Sequence, residues 1–150
     1  MNALELLKAD HKKVSALFEK VKANEDGDHS EVFQQIKAEL EVHAHIEEAI
    51  FYPRMKAEGD EELQKIVDEG IEEHRQMKMF LNQISGLSDG SEKMNPKLMV
   101  LIEDTEHHVM EEEGEMFPLI QKQFDTEYLE ELGAELEAEK KKFKPRSASA

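Results

Sequence analysis

The chain has no cysteine, only four prolines and seven glycines, and no apolar run approaching the roughly 18–20 residues of a membrane span. Without cysteine there is neither a disulfide framework nor thiolate metal ligation, so any bound metal must be held by histidine and carboxylate. The scarcity of proline and glycine, with 39% hydrophobic and 36% charged residues, reads as a soluble helical protein. Basic residues are also few, 19 against 35 acidic ones, and the net charge of −16 argues against nucleic acid or an anionic membrane as a partner. The acidic excess serves solubility. The N-terminus, MNALELLKADHKK, lacks an apolar segment behind a basic start, so a cytoplasmic location is expected. At 150 residues the chain is one domain, long enough to bury a core without staples.

What is present in excess is a repeat. HAHIEEAIFYP, from His43 to Pro53, returns sixty-five residues later as HVMEEEGEMFP, from His108 to Pro118. In each copy a histidine is followed four residues on by a glutamate, then a second glutamate, then an aromatic residue and a proline at identical spacing. On a helix, residues i and i+4 stand on the same face, so His43 with Glu47, and His108 with Glu112, can each reach a common point. Imidazole and carboxylate together suit a first-row transition metal better than Ca²⁺ or Mg²⁺, which prefer oxygen shells.

Leu4, Leu7, His11, Val14, Phe18 and Val21 fall at alternating three- and four-residue steps, the spacing of a buried helical seam. They predict a first helix to about Ala23. A second helix, capped near Ser30, carries Phe33, Ile36, Leu40, His43, Glu47 and Ile50 on one seam and runs to about Ala57, with Pro53 expected to kink or end it nearby. Leu63, Val67, Gly70, His74, Met77, Leu81 and Ile84 mark a third. A loop from Gly86 to Met94 leads to Asn95 as N-cap and Pro96 at the first helical position of a fourth, which presents Leu98, Leu101, Thr105, His108, Glu112, Glu115 and Leu119. Leu129, Leu132 and Leu136 define a short fifth helix packed across one end. The expected fold is all-α, an up-down-up-down antiparallel four-helix bundle with that C-terminal helix appended, over residues 1–143, with 144–150 a disordered tail.

Depth in such a bundle can be counted from each turn. His11 lies twelve residues before Ala23 and His43 thirteen after Ser30; His74 is fourteen after Asp60, and His108 twelve after Pro96. At about 1.5 Å rise per residue the four imidazoles sit at one level to within a few Å. Four histidines and two glutamates on core seams would each cost several kcal/mol if buried unpaired, a cost that a metal site removes.

With that pattern, H…HxxxE…H…HxxxE, the chain resembles the hemerythrin-like HHE cation-binding family over roughly residues 1–125. The resemblance implies that His11 and His43 hold one iron, that His74 and His108 hold the other, and that Glu47 and Glu112 bridge them. Positions remain for an oxo or hydroxo bridge and an exogenous ligand. Oxygen-carrying hemerythrins resemble this chain but have a further histidine one turn after the third-helix histidine, where this chain has Lys78. Both irons would then be more open to chemistry than in a reversible carrier. The implied function is a non-haem di-iron protein that binds and reacts with O₂, hydrogen peroxide or NO, with an undefined reductase or protein partner. The rivals are an iron or oxygen sensor or an iron store without turnover, and a bundle holding zinc or manganese.

The other polar candidates are secondary. His45, about 200° round the helix from His43, is expected to face solvent, and His107 lies about 100° off its seam. His29, in the first loop, is a minor candidate for a fifth ligand. Glu39 and Asp104 stand one turn before His43 and His108 and could orient those rings through their outer nitrogens. Glu48 and Glu113 fit a solvated face as well as an outer shell. Phe51, Tyr52, Met79, Phe80, Met116 and Phe117 read as plain core; any that line a route inward would favour small apolar ligands over larger polar ones.

Overall fold

The computed structural model describes residues 1–87 and 93–143, and is helical apart from short turns. The predicted tail, 144–150, and part of the predicted loop from Gly86 to Met94 lie outside the described residues. Four rods form the bundle. The first is α1 (Ala3–Lys22); the second joins α2 (Ser30–Ile46), a π turn (Glu47–Phe51) and α3 (Tyr52–Glu58); the third is α4 (Glu61–Ser85); the fourth joins α5 (Met94–Glu111), a second π turn (Glu112–Met116) and α6 (Phe117–Gln123). A fifth rod, α7 (Thr126–Lys142), lies along α1 and reaches the second rod.

Local chemistry sets these boundaries. Asn2 and Glu5 form a reciprocal capping box at the start of α1, and the side chains of Asp60 and Asp125 accept the N–H groups of Leu63 and Tyr128 at the starts of α4 and α7. The fourth rod starts earlier than the Asn95 and Pro96 signal suggested, at Met94. The Asn95 side chain does not cap it but donates to the carbonyls of Glu25 and Gly27, tying the first loop to the far rod.

The two prolines neither end nor break their rods. Lacking N–H groups, Pro53 and Pro118 cannot close the preceding α turn, and the helix widens just before each of them. Tyr52 N–H bonds Glu47 O, and Phe117 N–H bonds Glu112 O, five residues back. The extra residue in that turn rotates the remainder of the rod. Phe51 and Met116 take the buried seam positions expected for Ile50 and Glu115; Ile50 is only half-buried and Glu115 is exposed. Thr105, the other polar seam residue, returns its hydroxyl to Leu101 O at 2.7 Å within its own helix.

The core comes in two apolar layers. One contains Leu4, Leu7, Phe51, Leu63 and Phe117 with the inner face of α7; the other contains Val14, Phe18, Phe33, Leu81 and Leu98. Between them lies a polar layer made by His11, His43, Glu47, His74, His108 and Glu112, all buried. Among the described residues no helix is long and apolar enough to cross a membrane.

Candidate metal centre

Each rod contributes to the polar layer from a seam position. His11 comes from α1, His43 and Glu47 from the second rod, His74 from α4, and His108 and Glu112 from the fourth. The ring centroids of His11 and His43 are 4.9 Å apart at 61°, and those of His74 and His108 are 4.9 Å apart at 60°. The sequence repeat has become a pseudo-twofold arrangement.

The carboxylates lie between the two pairs. Glu112 sets one oxygen 3.1 Å from His11 Nε2 and the other 3.3 Å from His108 Nε2. Glu47 Oε1 is 3.2 Å from His43 Nε2 and 3.0 Å from His74 Nε2. Two groups with mutually close donor atoms result, His11–His43–Glu112 and Glu47–His74–His108, and each carboxylate touches a histidine of both.

The outer nitrogens form a second ring. Asp10 of α1 meets His43 Nδ1 at 3.1 Å, Glu48 of the second rod meets His74 Nδ1 at 2.8 Å, Glu73 of α4 meets His108 Nδ1 at 2.5 Å, and Glu113 of the fourth rod meets His11 Nδ1 at 2.6 Å. Each rod thus holds the histidine of the next, and the fourth closes on the first. An ionised carboxylate only accepts, so these contacts keep a proton on Nδ1 and turn Nε2 toward the centre.

This ring corrects the expected orienting residues. Glu39 and Asp104 do not hold His43 and His108; Asp104 instead accepts from Gln76 at the surface. Glu48 and Glu113, expected to suit a solvated face equally well, bond ligand-candidate imidazoles. Asp10 and Glu73 were missed, although a signal existed. Each immediately precedes a seam histidine, as Glu48 and Glu113 immediately follow a seam glutamate, and a one-residue step turns about 100° toward the neighbouring rod. His45 does not face open solvent: its Nε2 is 2.6 Å from Glu139 and its ring stacks on Phe143 at 4.5 Å. His29 is buried at the N-cap of α2, against the Glu25 carbonyl at 3.4 Å, and joins no cluster among the described residues. His107 is exposed and groups with Glu73 and Glu111 outside the centre.

Tyr52, expected to be plain core, belongs to the centre. The π turn swings it to the side of Glu47, and its hydroxyl donates to Glu112 Oε2 at 2.6 Å, with Glu47 Oε1 at 3.2 Å and the Nε2 atoms of His74 and His108 both at 3.4 Å. Its ring meets Gly70, where a Cβ would sit 3.1 Å from the hydroxyl oxygen. In the second repeat the same place is taken by Phe117, stacked on His11.

Burial and charge pull these groups in opposite directions. Burial pushes the His43 imidazole down, but Glu47, Asp10 and Glu112 outweigh it and hold it up at about 10. His74 and His108 are raised against burial in the same way, by Glu47 with Glu48 and by Glu112 with Glu73. Burial raises Glu112, yet His108 and His11 hold it well below the usual carboxylate range. Burial, then Glu112 and Glu47, drive the Tyr52 phenol up, so it stays a donor.

The donor set fits a metal on one further ground. His43 Nε2 and Glu47 Oε2 are buried and make no hydrogen bond among the described residues. The approach of His43 Nε2 to Glu47 Oε1, though short, is not aligned as one. Orphaned buried groups of this kind cost about 1–3 kcal/mol each unless something else bonds them. A cavity of about 120 Å³ borders His74 and His108, with Gln76, Asp104 and His107 also in its lining.

Known proteins resemble this arrangement. Residues 2–120 match the family model described as the hemerythrin HHE cation binding domain. A Nostoc sp. protein described as a DNA nickase is 31% identical over 97% of this chain, and an uncharacterized hemerythrin-like protein of Schizosaccharomyces pombe is 26% identical over 88% of it. The chain spans 41% and 66% of the lengths of these relatives. A crystal structure of a hemerythrin HHE cation binding domain-containing protein from Mycobacterium kansasii superposes with a TM-score of 0.78 at 26% identity, covering 95% of this chain and 86% of that one. With the family model spanning all four rods and six histidine and glutamate side chains converging between them, the chain belongs to the hemerythrin HHE cation-binding domain family.

Proposed function

We propose that the chain is a non-haem di-iron protein that reacts with a small oxidant, namely O₂, hydrogen peroxide or NO. His11 and His43 would hold one iron, His74 and His108 the other, and Glu47 and Glu112 would span both. The observation that carries this reading is the pair of orphaned atoms, His43 Nε2 and Glu47 Oε2, inside a layer whose outer nitrogens are bonded in a closed ring. Bound there, two irons would supply the redox chemistry toward a small oxidant.

The protein's own part is geometry, dryness and proton placement. The four outer carboxylates keep Nδ1 protonated and fix the plane of each imidazole. The apolar layers above and below exclude water, which strengthens every charge interaction between them. Tyr52 donates to Glu112 Oε2 and sets its hydroxyl oxygen 3.4 Å from both His74 Nε2 and His108 Nε2. The 120 Å³ cavity has room for a few water-sized molecules and none for an extended organic substrate. The nicking activity named for the Nostoc protein is not carried over, because a surface with a net charge of −16 repels a phosphate backbone.

The test is metal content and near-UV absorption of purified wild type, Glu47→Gln and Glu112→Gln, before and after peroxide. Wild type is expected to hold two irons per chain and each variant to lose iron and the absorption band. Either variant retaining both irons and the wild-type spectrum overturns the bridging roles. A wild-type spectrum indifferent to peroxide and O₂ moves the reading to a sensor or store, and zinc alone would sink it.

A further inference from the structure

The ring of outer carboxylates is not uniform. Two of its members are bonded to a lysine through the oxygen that does not face the imidazole. Glu48 Oε2 bonds His74 Nδ1 at 2.8 Å while Glu48 Oε1 accepts from Lys78 Nζ at 2.5 Å. Asp10 Oδ2 bonds His43 Nδ1 at 3.1 Å while Asp10 Oδ1 accepts from Lys140 Nζ. The other two differ. Glu73 sits between His108 and the surface pair His107 and Glu111, and Glu113 is partly open to solvent beyond His11. Neither has a lysine or arginine bonded to it among the described residues.

The uneven pattern breaks the pseudo-twofold symmetry, which would pair Asp10 with Glu73 and Glu48 with Glu113, yet it divides evenly between the two halves. His43 shares its half of the centre with His11, and His74 shares its half with His108. Each half therefore contains one imidazole backed by a lysine-neutralised carboxylate and one backed by a carboxylate with no ammonium on it. A carboxylate on Nδ1 raises the basicity of Nε2 by drawing on the Nδ1 proton. An ammonium on the far oxygen draws that charge away and weakens the effect.

We propose that Lys78 and Lys140 are positioning residues that set how strongly His74 and His43 donate to the metals, one in each half. The inference rests on the di-iron reading above and deepens it. Lys78 stands one turn after His74 on α4, on the side where Glu48 of the second rod meets it. A cation there binds no metal; it acts through Glu48. Lys140 ties α7 to the centre through Asp10, whose other oxygen bonds His43 Nδ1.

The test compares iron content, midpoint potential and near-UV absorption of iron-loaded wild type, K78M, K78R, K140M and K140R. Both methionine variants are expected to keep two irons and to shift the midpoint downward, because the freed carboxylate makes its imidazole a stronger donor to the oxidised metal; the arginine variants should stay near wild type. Methionine variants with two irons and wild-type midpoints overturn the proposal, as do arginine variants shifted as far as the methionine ones. Lys78 is half exposed, so K78M removes little packing and decides the matter alone if K140M loosens α7. A wild type that holds no iron defeats the di-iron reading instead, and is seen before any variant is compared.

Discussion

Tyr52 and Phe117 occupy the same place in the two repeats, and the single hydroxyl between them makes the halves of the centre unequal. The phenol reaches Glu112, the glutamate of the other repeat, at 2.6 Å, and lies within 3.4 Å of the Nε2 atoms of His74 and His108. Tyr52→Phe is expected to fold, because Phe117 shows that the π turn accepts the ring without the hydroxyl. It should destabilise the metal-free protein by about 1–3 kcal/mol, as the fully buried Glu112 loses a donor. Urea unfolding of the metal-free protein checks this, and a curve that overlays the wild-type curve would show that the contact contributes little. At this scale the histidines and the two central glutamates were legible in the sequence as seam residues. Tyr52 was not, since its side depends on a π turn that three- and four-residue counting cannot represent.

At the scale of the element, both π turns and α7 are positioned by residues chosen for backbone reasons. The prolines create the widened turns that carry Glu47 and Glu112, and a glycine lets α7 dock. A Cβ at Gly133 would meet Met1 O at 2.4 Å and the Asn2 carbonyl carbon at 2.8 Å, backbone atoms that have no rotamer to escape into. Gly133→Ala is therefore expected to destabilise the fold by about 1–3 kcal/mol, despite the gain in helix propensity, and to expose α7 to proteolysis. A thermal scan with limited trypsin digestion reads both effects; unchanged melting and digestion would show that α7 and the N-terminus simply move apart. Helix existence and the fifth amphipathic segment could be read from periodicity. The docking of α7 on α1 could not, because an apolar stripe says that a face is covered and not by which neighbour.

Across the whole molecule the polar layer makes stability depend on pH in a direction set by its charges. His43 has an ordinary value of 6.5 and is held at about 10 in the folded protein. A group raised by folding contributes its full stabilisation below 6.5, loses it progressively as pH rises, and has none left above about 10. His74 and His108 are raised as well, so they act in the same sense. Chelator-treated protein is thus expected to lose several degrees of melting temperature between neutral pH and pH 10. Metal binding must displace the proton on Nε2, so metal affinity should rise over the same interval, and loaded protein should melt almost independently of pH. Calorimetry of the two forms decides it: a metal-free protein whose melting temperature stays flat between neutral pH and pH 10 would mean that the imidazoles are neutral when folded.

The sequence by itself determined the class of fold, the six residues of the polar layer and their common depth. These come from periods and counts along a single chain, and helix geometry turns such counts directly into faces and heights. Only the tertiary structure decided which carboxylate meets which imidazole. Asp10, Glu48, Glu73 and Glu113 each act on a histidine of the next rod, and Lys78 and Lys140 act one contact further out. Those partners are set by the direction in which the rods succeed one another around the bundle and by the added rotation at each π turn. Neither quantity can be counted off a seam, because both arise when four helices bury their apolar faces against each other.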